Sequence, residues 1–314
     1  MKVIFMGTPD FALPTLKAIY NSNHEVVLAV TQPDRQRGRN KALSPSPVKE
    51  EANDLGIPVF QPERIRDAQN LKILKKYKAD VIVVVAFGQI LPKSVLSLTK
   101  YGCINVHASL LPAYRGAAPI QWAILNGENT TGVTTMQMDE GLDTGDILLK
   151  REIQIAQTDT AGDLHEKLSI IGAELLIETL AKLEKGGIKP IPQGETTTPY
   201  AKMLKKESGL IDWNESAEHI ERMIRAFNPW PGAFLRRGGK LIKLTQGIVS
   251  EEGDSHGNGE TIAQGTIMAV TKEYFDVSTG NGALRILALQ PEGKRVMSAA
   301  EYLRGYNVKT GERF

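Results

Sequence analysis

Among 314 residues there is a single cysteine, Cys103, so an intrachain disulfide is impossible and a thiol-rich metal site is excluded. No apolar stretch approaches the ~20 residues that a membrane-spanning helix needs. The apolar start, Met1 to Gly7, is too short for a signal peptide. A reducing cytoplasm with no membrane partner is the expected setting. Charge of one sign is also lacking: 38 Lys and Arg stand against 36 Asp and Glu, a net of +2. Net charge therefore makes no case for nucleic acid, and any basic surface has to be local. The five histidines, His24, His107, His165, His219 and His256, show neither paired spacing nor nearby cysteines. The acid-rich stretch from Asp139 to Asp146 lacks the alternating ligands of a calcium loop, so no metal is expected. A G-x-G-x-x-G series is missing as well. The first strand runs into Gly7-Thr8-Pro9-Asp10, where Pro9 has no N–H for a pyrophosphate, which argues against NAD or FAD.

The pattern that is present is one of apolar runs alternating with helical periodicity. Residues 2–6, Glu25 to Thr31, Ile57 to Gln61 and Ala79 to Ala86 read as strands, with helices to about Tyr20 and over about 46–55 and 64–77. Continuous Val/Ile runs of this kind indicate parallel strands covered on both faces. A fifth strand, Tyr101 to Val106, and a sixth, Gly132 to Met138, complete an α/β, Rossmann-like, mostly parallel sheet. A long helix from Thr160 to Lys185 follows, with Thr160 and Asp163 spaced as a capping box. The Pro-punctuated stretch from Ile188 to Tyr200 has no periodicity and reads as a surface linker. After Ser208 come a helix near Ser216 to Phe227 and short strands at Leu241–Thr245, Gly265–Val270, Tyr274–Val277 and Leu284–Leu289. Regularly spaced short strands imply a small barrel or sandwich. The expected organisation is a catalytic domain over 1–189, a linker over 190–207 and a β domain over 208–314.

Chemistry concentrates after the fifth strand. Asn105 and His107 are two residues apart, so on extended backbone they project from one face. One offers amide N–H groups, and the other carries or accepts a proton near neutral pH. That pair suits a carbonyl on which negative charge develops. In open α/β sheets, ligands bind outside the carboxyl ends of the strands, where the segments 105–109 and 139–143 both fall. With Ser109-Leu110-Leu111-Pro112 and Asp143, these residues resemble the signature of the 10-formyltetrahydrofolate-dependent formyltransferases. The run from Arg115 to Pro119, Gln121-Trp122, and the stretches 5–10 and 228–232 extend the resemblance, in particular to the members acting on initiator methionyl-tRNA.

The resemblance implies Asn105, His107 and Asp143 as catalytic residues. Asn105 donates to the developing oxyanion, and either His107 or Asp143, through a water, takes the amine proton. It implies 10-formyltetrahydrofolate as co-substrate, its pocket shaped by Ser109, Leu110, Leu111 and Pro112, and its pterin ring met by Phe87, Gly88, Gln89, Ile90 and Leu91. Ser109 lacks a G-x-S-x-G frame and so is no hydrolase nucleophile. The loop from Arg35 to Lys49 carries Arg35, Arg37, Arg39 and Lys41 without an acid, and lies where the family inserts a loop into tRNA. Lys205, Lys206, Arg236 and Arg237 add basic patches, and the C-terminal β domain is expected to be the family's OB-like barrel. A monomer is expected. The rival readings are a formyltransferase for a small amine, such as a sugar nucleotide, and a non-catalytic RNA-binding protein.

Overall fold

The computed structural model describes residues 1–37, 42–196, 198–251 and 262–314. In chain order its first elements are β1 (Lys2–Gly7), α1 (Leu13–Tyr20), β2 (Glu25–Val30), β3 (Arg35–Arg37), β4 (Ala42–Ser44), α2 (Pro47–Asp54), β5 (Val59–Phe60) and α3 (Ala68–Lys76). There follow β6 (Val81–Val85), α4 (Lys93–Leu96), β7 (Cys103–His107), α5 (Pro119–Leu125), β8 (Thr130–Gln137), β9 (Ile147–Gln154) and α6 (Ala161–Glu184). The last are α7 (Ala217–Ala226), β10 (Ala233–Arg237), β11 (Lys240–Val249), β12 (Ile267–Val270), β13 (Phe275–Ser278), β14 (Ala283–Pro291), β15 (Met297–Ser298) and α8 (Ala299–Gly305). Two compact units result. The first comprises Met1–Pro119, Thr130–Gln154 and His165–Ala201, and the second Ile120–Asn129, Ile155–Leu164 and Lys202–Phe314.

The first unit is built on a seven-stranded sheet of order β5-β2-β1-β6-β7-β8-β9. From β5 to β7 neighbouring strands are parallel. All five residues of β6 are buried, as are five of the six in β1, so both sheet faces are covered. Ile4, Met6, Ile82 and Val84, alternate residues of adjacent strands, pack in one cluster with Phe87 and Leu91. Burying each such side chain contributes about 1.5–3 kcal/mol. The expected sixth strand is present as β8, but it runs antiparallel to β7, and the unexpected β9 pairs antiparallel with β8. Strand β9 places Lys150, Arg151 and Glu152 in sequence, with burial confined to its start and alternate positions, so it lacks the continuous apolar run of the central strands. The long helix α6 begins with the expected reciprocal cap: Asp163 N–H donates to Thr160 Oγ1 and Thr160 N–H to Asp163 Oδ2.

The second unit carries an antiparallel sheet of order β10-β11-β14-β13-β12, with β15 pairing β14. Among the described residues no pairing joins β10 to β12, so the sheet is open and a closed barrel is not formed by them. Ser216 caps α7 by accepting from His219 N–H, and the helix buries Ile220, Met223 and Ile224. No helix among the described residues is long and apolar enough to cross a membrane.

Candidate active site

Strand β7 positions the first two chemical groups. Asn105 pairs with Val84 of β6 on one side and Met136 of β8 on the other, and His107 pairs with Thr134. Both are buried, with exposures of 9% and 7%. Within the described residues the Asn105 carboxamide makes no hydrogen bond, so its donors remain available to a ligand. His107 Nε2 lies 3.1 Å from the Tyr114 carbonyl oxygen. A carbonyl only accepts, so Nε2 carries a proton, and the other ring nitrogen, Nδ1, faces Asp143. Nδ1 is 3.8 Å from Asp143 Oδ2, longer than a hydrogen bond but well within Coulombic reach.

Asp143 is drawn to this place by the loop after His107. Gly116 N–H donates to Asp143 Oδ2 at 2.9 Å. Gly116 has φ +127°, and a Cβ there would lie 2.5 Å from the Ala201 carbonyl and 2.8 Å from the Tyr200 ring, so only glycine fits. Asp143 itself is left-handed at φ +55°. Burial, and then the Asp143 anion, push the Tyr200 phenol up from its ordinary pKa. The sheet thus brings Asn105 and His107 to one face, and the two loops bring Asp143 against His107.

The expected folate-loop residues divide by exposure. Ser109 Oγ donates to Ala113 O, and Thr134 Oγ1 donates to Ser109 O, so Ser109 fixes its own loop. Leu111 is fully buried against Met136 and Ile147, while Leu110 and Pro112 are half-buried. In the other loop Phe87 and Leu91 belong to the core, and Ile90 is 83% exposed. Gln89 ties the loop down, accepting from Ile65 N–H and donating to Pro62 O. Gly88 is left-handed at φ +85°. Beside this loop a cleft of about 270 Å³, lined by Thr8, Gln32, Arg35, Ser44, Ser46 and Phe87, opens at the carboxyl ends of β1, β2 and β6. The strand order reverses between β1 and β6, the switch point where open sheets bind ligands.

The basic residues differ in availability. Arg35 is exposed on β3 and donates to Gln32 Oε1. Arg37 ends β3, and Arg39 and Lys41 lie outside the described residues. Lys205, Lys206 and Arg236 are exposed. Arg237 is engaged internally: its guanidinium donates to Glu312, Tyr302 Oη and Asn307 O, so a phosphate would have to displace these partners.

The sequence pattern missed the segment after α6 as part of the site. It reads as a linker, yet up to Ala201 it is stitched to the loops after β7 and β8. Ile191 pairs with Ile147, Thr198 Oγ1 accepts from Tyr114 N–H at 2.7 Å, and Ala201 bridges to Arg115 and Ala117. Gln193 touches both Arg115 and the Asp143 loop. Nothing in residue type marks these positions, because most of their partners are backbone groups.

The first unit is thus an open, mostly parallel sheet with Asn105, His107 and Asp143 gathered at its carboxyl edge, and the second carries an antiparallel sheet. Residues 1–180 match the family described as formyl transferase and residues 203–307 that described as formyl transferase, C-terminal domain, so the chain belongs to the formyl transferase family. It is 50% identical over 311 residues to methionyl-tRNA formyltransferase of Lachnospira eligens, covering 99% of this chain and 98% of the relative. To methionyl-tRNA formyltransferase of Agathobacter rectalis it is 49% identical over 314 residues, covering 100% and 99%. A similar solved structure is WlaRD, a sugar 3N-formyl transferase in the presence of dTDP and 5-N-formyl-THF. The two share 21% identity at a TM-score of 0.66, over 94% of this chain and 99% of that one, a likeness of fold.

Proposed function

We propose that this enzyme transfers the formyl group of 10-formyltetrahydrofolate to the α-amine of initiator methionyl-tRNA, giving N-formylmethionyl-tRNA. The observation that carries the reading is identity near one residue in two over the full length, second unit included, to enzymes bearing that name. Asn105 donates its amide N–H to the formyl oxygen as negative charge grows there, an interaction typically worth about 2.7–4 kcal/mol. His107, its Nε2–H held by Tyr114 O, has Nδ1 free to receive the amine proton, directly or through a water. A proton at Nδ1 then lies against the Asp143 carboxylate, which stabilises it. The folate co-substrate is read as lying along the exposed Ile90 loop and the 109–112 turn. The donors and acceptors of the loop backbone suit a pterin edge, and Ile90 supplies an apolar wall.

On the acceptor side, Arg35, Arg37, Arg39 and Lys41 enter the tRNA, with Lys205, Lys206 and Arg236 on phosphates. Arg237 acts mainly in holding the C-terminal segment through Glu312. In this reading the domains run 1–189 and 208–314 about a connecting 190–207, and the second takes the OB-like form of the family. The enzyme works as a cytoplasmic monomer. The test is formylation by purified protein with 10-formyltetrahydrofolate and charged initiator tRNA, with uncharged tRNA and an amino-sugar nucleotide in parallel. Product from charged tRNA alone is expected. Turnover only with the sugar nucleotide would overturn the acceptor and keep the formyl chemistry.

A further inference from the structure

Gln193 sits in the first unit between the Ile191–Ile147 bridge and Thr198. Its Oε1 accepts from Arg115 Nε and Nη2 at 3.0 and 2.8 Å. Its Nε2 donates to the carbonyls of Asp143 and Gly145 at 2.9 and 2.6 Å. A single carboxamide therefore joins the loop after β7 to the loop after β8. All of its hydrogen-bonding atoms are used, and both ends act on segments that carry or hold Asp143.

The need for such a clamp lies in the conformation of Asp143. Its φ of +55° belongs to a region that residues other than glycine adopt only when the surroundings hold them there. The direction of its carboxylate follows from that backbone twist. Gln193 binds the carbonyl of Asp143 itself, while Gly116 N–H, one residue beyond Arg115, binds Oδ2. If the carbonyl were released, the peptide after Asp143 could rotate and carry the carboxylate away from His107 Nδ1, 3.8 Å distant. A misplacement on the scale of 1 Å can cost about 10²-fold in rate.

We propose that Gln193 is a positioning residue for Asp143, clamping the Arg115 and Asp143 loops so that the carboxylate faces His107. This rests on the reading of Asp143 as catalytic. Gln193 binds no reacting atom in this scheme and acts only through Asp143. The amide end and the carbonyl end can be separated: glutamate keeps an acceptor for Arg115 but loses both donors and sets an anion against two carbonyl oxygens.

The experiment uses the full chain with single-turnover and steady-state formylation of methionyl-tRNA. The variants are Gln193→Ala, Gln193→Glu, Asp143→Asn, and Asp143→Asn combined with Gln193→Ala. Both Gln193 variants are expected to lower kcat by about 10- to 100-fold, with KM for tRNA and folate moving by less than about threefold. The double variant is expected within about twofold of Asp143→Asn alone, because a carboxylate already absent cannot be misplaced. Fully multiplicative losses would overturn the proposal, since they would show Gln193 acting elsewhere. So would wild-type kcat in Gln193→Glu, the near-isosteric variant least prone to misfold, because it lacks the donors to the Asp143 loop. Wild-type turnover in Asp143→Asn would instead overturn the catalytic reading on which the proposal stands.

Discussion

In the proposed mechanism Asn105→Ala removes one preorganised donor from the middle of β7. A donor of this kind contributes about 2.7–4 kcal/mol in the transition state, which corresponds to roughly 10²–10³ in kcat at 25 °C. The structure separates this loss from a loss of stability. The carboxamide has no hydrogen-bond partner among the described residues, so truncation leaves no buried group stranded. The backbone of position 105 stays paired to Val84 and Met136. A stability change of about 1 kcal/mol is therefore expected, too small to unfold a domain of ordinary stability. Asn105→Asp nearly conserves volume but puts a carboxylate where negative charge must grow, and should be slower still than alanine. The assay is single-turnover formylation at saturating folate, run beside urea unfolding of each variant. Turnover of Asn105→Ala within threefold of the parent chain would refute the oxyanion role. A rate loss tracking a loss of folded protein would do the same.

Gly116→Ala is expected to lose at least about tenfold in kcat. A side chain at φ +127° is strained by about 1–3 kcal/mol and meets a backbone carbonyl that cannot move aside without opening the segment around Ala201; parent-level activity would contradict this. Charge reversal at the exposed Lys205 and Lys206 should raise KM for tRNA and flatten its salt dependence by about two units of log–log slope, leaving KM for folate unchanged; an unaltered salt slope counts against their phosphate contacts. Burial pushes the Cys103 thiol up to about 12, so at pH 8 about one molecule in 10⁴ carries the reactive thiolate. Thiol labelling should then wait for unfolding. Because the folded thiol titrates above the unfolded one, its contribution to stability is complete below about pH 9 and falls as pH rises toward 12. In the second unit Asp276→Ala strips the buried partner from Arg285, whose guanidinium donates to both carboxylate oxygens. A loss of about 3–5 kcal/mol in urea unfolding is expected, and a loss under 1 kcal/mol would show the pair to be replaceable.

Local chemistry was legible wherever one residue type had to serve one place. The Val81–Val85 run could only be a strand covered on both faces, and β6 lies at the centre of the sheet. The Thr160–Asp163 spacing marked the start of α6 to within one residue. Strands β8 and β9 show where such reading stops. Direction is decided by the length and path of a connection, and the segment between Gln137 and Ile147 is short enough to return antiparallel. A helical crossover of the kind that joins the earlier strands is absent there. The antiparallel β3–β4 pair and the two-residue β15 were equally illegible, because strands of three and two residues carry too few positions to show a period.

The site divides in the same way. Asn105 and His107 stand out because period-two geometry places two chemically distinctive side chains on one face. Asp143 entered through resemblance, since an acid in a glycine-containing loop looks locally like any turn residue. Gln193 could not be found from sequence at all. Its partners lie 78, 57, 50 and 48 residues away, and two of the four are carbonyls. A carbonyl is the same group under every residue type, so a side chain that binds one leaves no complementary letter in the sequence. The residues that hold a catalytic group in place are for that reason harder to read than the group itself. A stretch without periodicity is a linker only until its backbone partners are known, and here Ile191 to Ala201 holds the loops after β7 and β8, which carry Gly116 and Asp143.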